Sequence, residues 1–309
     1  MMLRPSPLFF MAAAAAGLCG AAEPAPLARA VDLAVKETLA EFTPVALKPE
    51  QLAVTVLDLR GPATARADYR GEARIYPASV IKLFFLAYAH RRMEDGQLSD
   101  TPEFRRGLRD MIVESYNEAT SYVVDAATGT TSGPELPAAD LATWHEQRAA
   151  VNRYFDGLGY TNVNAQRKPW GEGPYGREKQ DMEAHPPARN YLSTNDTARL
   201  LEEIAHGRCV TPARSAQMLA LMARDPFSPN TDPDSEDTGF SGSALTAGMK
   251  MWSKAGWVSW ARHDAALIEL PDGGRVIIVT FTDGKEHANN RAIIPAVVRR
   301  VLKNLPPAP

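Results

Sequence analysis

Strand-like segments gather at the two ends of this chain, and the long stretch between them reads as helix or loop. Residues 52–59, Leu-Ala-Val-Thr-Val-Leu-Asp-Leu, form a β-branched run typical of a strand, and residues 67–75 are the expected hairpin partner. Near the other end, residues 265–270 and 276–281 flank Pro271-Asp272-Gly273-Gly274, a strong turn signal. Amphipathic helices bracket these strands. Residues 27–42 carry apolar side chains at Leu27, Ala30, Val31, Leu33, Ala34, Val35, Leu39 and Phe42, an amphipathic helical pattern, and residues 292–305 repeat it. An antiparallel sheet assembled from both ends, with a helical part inserted, accommodates this order. The expected class is α/β in the α+β sense: one domain over residues 23–309, its α/β part at 23–75 and 244–309 and its helical part at 76–243. An active site would fall in the cleft between the two parts.

Residues 1–22 stand apart from this domain. Arg4 precedes an apolar run over residues 8–18, and Gly20, Ala21 and Ala22 supply the small residues a signal peptidase requires. The segment reads as a secretory signal cleaved near Ala22, which predicts a secreted or periplasmic protein. The run is shorter than the roughly 20 residues that span a bilayer, so no membrane span is expected. Cleavage removes Cys19 and leaves Cys209, which excludes an internal disulfide and reads as an inert thiol. The 34 Lys and Arg against 37 Asp and Glu give a net charge of −3, which offers no electrostatic footprint for nucleic acid. The six histidines show neither His-x-His nor His-Glu-x-x-His spacing, so neither metal nor cofactor is expected. A monomer acting on a small molecule or peptide is the expected form.

Three short motifs carry chemistry. In Ser79-Val80-Ile81-Lys82 the serine and lysine are three apart, which puts amine and hydroxyl on one helical face. Ser79 would also sit at a helix N-terminus, where amide hydrogens favour developing negative charge. Ser-x-x-Lys alone is a weak signal. Ser115-Tyr116-Asn117 and Lys254-Ala255-Gly256 follow it in order, and together the three resemble the serine β-lactamases and penicillin-binding proteins, nearest to the class A β-lactamase-related serine hydrolases. The resemblance extends to residues 111–120 and 190–201 and spans about residues 27–305.

The resemblance implies a β-lactamase-like fold and a role for each residue. Ser79 would be the acylated nucleophile and Lys82 its base. Ser115 would relay a proton to the leaving nitrogen, and Asn117 would bind the substrate amide while orienting Lys82. The backbone amides of Ser79 and Trp257 would form the oxyanion hole, Gly256 and Trp257 would contact substrate, and Lys254 would supply charge for a carboxylate. The implied substrate is a β-lactam or a cell-wall peptide. β-Lactamase is the leading reading; a D-alanyl-D-alanine peptidase or esterase with slow deacylation, and a weakly catalytic cell-wall peptide-binding protein, are the alternatives.

Three departures qualify the resemblance. Ser79 and Ser115 are 36 positions apart, a short spacing that predicts a more open cleft on that side. Ala255 stands where the family carries a hydroxyl, which predicts weaker binding of a substrate carboxylate. The carboxylate that activates the deacylating water has two candidates, Glu172 and Glu178, and neither sits in the family's Glu-x-x-x-Asn frame. Two irregular stretches, residues 129–137 and 162–190, are long enough to expect functional loops, and a third, residues 225–243, joins the helical part back to the sheet.

Overall fold

The computed structural model describes residues 25–45, 47–170 and 173–308; the signal expected in residues 1–22 and the candidate Glu172 lie outside them. Helix α1 (Pro26–Phe42) has proline in its first turn, where no amide hydrogen is needed, and buries Leu27, Ala30, Val31, Ala34 and Val35. Strands β1 (Leu52–Asp58) and β2 (Ala65–Tyr69) pair antiparallel. The partner strand thus stops at Tyr69, and Ile75 instead makes an isolated bridge with Leu192.

The middle of the chain runs through α2 (Lys82–Glu94), α3 (Pro102–Ile112), α4 (Asn117–Thr128), α5 (Ala138–Arg148), α6 (Ala150–Gly157), β3 (Val163–Asn164), α7 (Gly176–Ala184), β4 (Tyr191–Leu192), α8 (Thr194–Ala205) and α9 (Pro212–Met222). A two-residue strand, β5 (Ala223–Arg224), leads back toward the sheet, which continues with β6 (Lys250–Val258), β7 (Ala261–Glu269) and β8 (Arg275–Asp283) before α10 (Ile293–Asn304). The β7–β8 turn is the one the sequence signals. Gly273 takes φ +85°, and Leu270 and Gly274 close the turn at 2.7 Å.

The sheet order is β2-β1-β8-β7-β6-β5, antiparallel throughout, with Leu52 of β1 opposite Thr282 of β8. Strands from the two ends of the chain are therefore neighbours, as expected. Helices α1 and α10 cover one face, burying Val31, Val35, Val54, Ile278, Val297 and Val298 together. On the other face α2 and α8 bury Phe84, Leu86, Leu200, Val279 and Phe281 in the larger core. Although α8 lies within the helical stretch of sequence, it packs on the sheet, and the Thr55 hydroxyl of β1 lies 2.8 Å from that of Thr194 and 2.7 Å from Asn195 Oδ1.

Seven consecutive residues of α2, Leu83 to Ala89, are buried. A helix apolar on all sides belongs in the middle of a core. At about 1.5–3 kcal/mol for each large apolar side chain buried, this packing gives the segment preceding it a fixed platform. No helix among the described residues is long and apolar enough to cross a membrane.

Candidate active site

Ser79 lies in a single 3-10 turn, Ala78–Ile81, that runs directly into α2. In such a turn residues three apart eclipse one another, so Ser79 and Lys82 are aligned more closely than an α-helix would place them. Ala78 adopts φ +46°, a left-handed conformation that costs a residue with a Cβ about 1–3 kcal/mol. Two contacts hold the turn in place. A Cβ added to Gly256 of β6 would come 2.5 Å from the Ser79 amide nitrogen and 3.0 Å from the Pro77 carbonyl oxygen, so strand and turn meet backbone to backbone. His263 of β7, fully buried, donates from Nε2 to the Tyr76 carbonyl at 2.8 Å and accepts the Thr282 amide on Nδ1 at 3.1 Å. With both nitrogens so used the ring is neutral, and burial pulls its pKa down to about 4.

Lys82 is buried, and its Nζ donates to the Ser115 carbonyl at 2.6 Å, the Ser115 hydroxyl at 3.2 Å and Asn117 Oδ1 at 3.0 Å. Ser115 achieves this through φ +57°, which turns carbonyl and hydroxyl onto one nitrogen. Desolvation, and then the charge of Lys254, lower the Lys82 pKa to about 7, against opposing pulls from Glu236 and Glu118. A large fraction of the protein at neutral pH therefore carries a free amine there, the form a proton acceptor must take.

Lys254 of β6 is completely buried and held by Glu236, to which its Nζ donates, with a second bond to the Ala255 carbonyl at 2.8 Å. Burial pushes its pKa down, and the Glu236 carboxylate resists. The same carboxylate accepts the Ala255 amide at 3.0 Å and Arg224 Nη2 at 2.9 Å. Since the Ala255 amide bonds to Glu236 and not to β7, strand alternation directs the Trp257 amide, two residues on, to the same side. These groups surround a cleft of about 790 Å³ whose lining includes Ser79, Ser115, Asn117, Arg224, Glu236 and Trp257. The three sequence motifs thus meet in one place.

The model of the family described as "Beta-lactamase enzyme family" matches residues 34–305, almost all of the described chain. The chain belongs to the beta-lactamase enzyme family. No curated protein sequence matches it. Among solved structures it is similar to a beta-lactamase from Sphaerobacter thermophilus, with a TM-score of 0.62 and 19% identity over 90% of this chain and 99% of the other. It is similar also to PBP-A (TM-score 0.60, 18% identity, 88% and 95% coverage). A class A beta-lactamase from Bacteroides cellulosilyticus gives a TM-score of 0.62 at 17% identity, over 90% of this chain and 98% of the other. At these identities the likeness is one of fold.

Within this beta-lactamase-family fold, Glu178 is not among the residues that line the cleft with Ser79; it lines a second hollow with Tyr76, Ala78 and Ile81. It is buried in α7, where Arg148 donates to both its oxygens at 2.9 and 3.0 Å, Ser132 donates to Oε1 at 3.0 Å and Lys168 Nζ lies 3.3 Å away. Arg148 also reaches Asp125 at 2.8 Å and Thr130 at 2.9 Å, and stacks over Trp144. A carboxylate so engaged anchors the segment over residues 162–190. Trp170 lines the same hollow, of about 320 Å³, behind the nucleophile turn with Tyr76, Ala78 and Arg189, whereas Tyr175 is exposed and packs edge-on against Trp170. Trp144, Phe155 and Tyr160 are buried core residues. Cys209 is buried as well, and desolvation raises its thiol pKa to about 12, which keeps it inert.

Sequence reasoning missed Arg224, Glu236, Arg148 and His263. The need to neutralise a buried lysine was a signal for Glu236, because an acidic stretch at residues 225–237 lies in the segment that leads to β6. It missed also the grouping of His145, Asp181 and His185, whose ligating atoms lie within 4.8 Å of one another, because only histidine pairs were counted. The two imidazoles stack at 3.7 Å and share Asp181 Oδ1 at 2.7 and 2.8 Å, while Arg167 holds the other oxygen. The carboxylate thereby satisfies both rings and ties α5 to α7.

Proposed function

We propose that the protein is a serine hydrolase acting through an acyl-Ser79 intermediate on β-lactam amides and related acyl donors. The observation that carries this reading is Lys82: an amine titrating near pH 7, one turn from a serine and bonded to Ser115 and Asn117. Neutral Lys82 takes the Ser79 proton as Oγ attacks the acyl carbon. The Ser79 and Trp257 amides receive the developing oxyanion, each such donor being worth about 10²–10³ in rate. Ser115, bonded to Lys82, passes a proton to the leaving nitrogen as the carbon–nitrogen bond breaks, and water then hydrolyses the ester. The signal read in residues 1–22 would carry the protein to the periplasm or the medium, where such donors are met.

A second reading is that of a penicillin-binding protein, in which the acyl-enzyme persists. The engagement of Glu178 by Arg148 and Lys168 favours it, since a carboxylate paired with two cations is a weaker proton acceptor for a deacylating water. A mutant of PBP-A, similar in fold, was solved as an acyl-enzyme complex with penicillin G. Incubation with a fluorescent penicillin, followed by intact mass, tests both readings. A Ser79 adduct that turns over supports the hydrolase, and one that lasts supports the second reading. Absence of both adduct and turnover with the penicillin as free acid and as methyl ester, or full acylation of a Ser79→Ala variant, would refute the mechanism.

A further inference from the structure

We infer that Glu236 fills the carboxylate subsite of the cleft with a carboxylate of the chain's own, so that the preferred acyl donors carry no free carboxylate there. The inference rests on the acyl-Ser79 reading and names its substrate class. Lys254 was expected to receive a substrate carboxylate. Its ammonium instead meets Glu236, whose oxygens also take Arg224 and the Ala255 amide. Two cations and one amide are what an incoming carboxylate would need, and all three are occupied.

The occupant is held on both sides. Two residues before it, Asp234 pairs with Arg262 at 2.9 Å and with Arg291 through both oxygens at 2.9 and 2.6 Å. One residue after it, Asp237 accepts the Asp225 amide at 3.3 Å. Arg224, the other cation, is fixed by the Ile112 carbonyl at 2.9 Å. An anionic group entering beside Lys254 must displace a tethered carboxylate or lie against it. Asp225, Asp232 and Asp237 line the same cleft, and among the described residues no ion pair reaches them. An acyl donor that is esterified or amidated at this position meets none of that repulsion. Discrimination by a repulsive element of this kind is a common route to specificity.

Binding separates this inference from the chemistry. In a Ser79→Ala background, which cannot be acylated, dissociation constants of benzylpenicillin and its methyl ester are measured by calorimetry at low salt, with Glu236 intact and in the E236Q and E236A variants. The expected result is a preference for the methyl ester with Glu236 present, and a shift of the ratio toward the free acid of tenfold or more in both variants. A ratio that stays put in variants whose circular dichroism and melting remain native would overturn the inference alone. If the chain with Ser79 intact forms no adduct with either ligand, and neither binds in any variant, the hydrolase reading falls and this one with it.

Discussion

Gly256 lies against the amide of Ser79 so closely that a single added carbon would stand 2.5 Å from that nitrogen. The strand that carries Lys254 and the turn that carries Ser79 are therefore set by one absent side chain, and the Ser79 amide proposed for the oxyanion lies at that contact, with the amide of Trp257 one residue along the strand.

Gly256→Ala should push β6 off the turn and misplace the Trp257 amide. The expected loss in acylation rate is about 10²-fold, the usual worth of one oxyanion donor. Stopped-flow acylation of the variant checks it. A rate within threefold of the parent, in a folded protein, would mean that the close approach has no part in the chemistry.

Acylation should rise with pH to a plateau with a midpoint near 7, because only the neutral form of Lys82 accepts a proton. Lys82→Arg cannot deprotonate in this range, and should lose about 10²–10⁴ in rate. Lys254→Gln removes a positive neighbour that disfavours charge on Lys82, so the midpoint should move upward. A downward move would reverse the assigned electrostatics.

Glu178→Gln should lower the melting temperature while deacylation stays within a few-fold of the parent. Arg148→Met should be worse, since it strands buried carboxylates; losses of about 3–5 kcal/mol follow when one partner of a buried pair is removed. A Glu178→Gln variant that traps the acyl-enzyme would instead make Glu178 the deacylation base.

Acid should destabilise the fold through two buried imidazoles. His90 in α2 and His263 in β7 both have pKa values lowered to about 4 by burial. Above the unfolded value of 6.5 both are neutral folded or unfolded. Between 6.5 and 4 the unfolded chain binds protons that the folded chain refuses, so stability present above 6.5 is lost as pH falls through that window. Each ring contributes a slope of up to about 1.4 kcal/mol per pH unit. Urea unfolding across pH 4–7 measures it, and His90→Leu should flatten the curve, because it removes one titrating ring that among the described residues has no hydrogen-bond partner to lose.

The sheet was legible because β-branched runs and a Pro-Asp-Gly-Gly turn are local signals, and the motif order singled out Ser79, Ser115, Asn117 and Gly256, which line one cleft, with Lys82 bonded to two of them. Helix α7 was not legible: Gly176–Ala184 is almost wholly polar, and its hold on the fold comes from buried ion pairs with residues far off in sequence. Strand β5 is too short to show a period. Glu236 was hidden for a different reason, because its partner Lys254 was assigned to substrate, and a subsite looks empty in sequence until the chain is seen to fill it.

The pairing of β1 with β8 also governs time. Leu52 must find Thr282 across most of the chain, and such distant contacts make folding slow, since loop closure costs entropy before any contact rewards it. The nucleophile turn emerges early in synthesis but is clamped only by β6 and β7, made much later. Until those strands arrive the oxyanion hole proposed above is incomplete, so under that mechanism the chain would stay chemically silent while it is still unfinished.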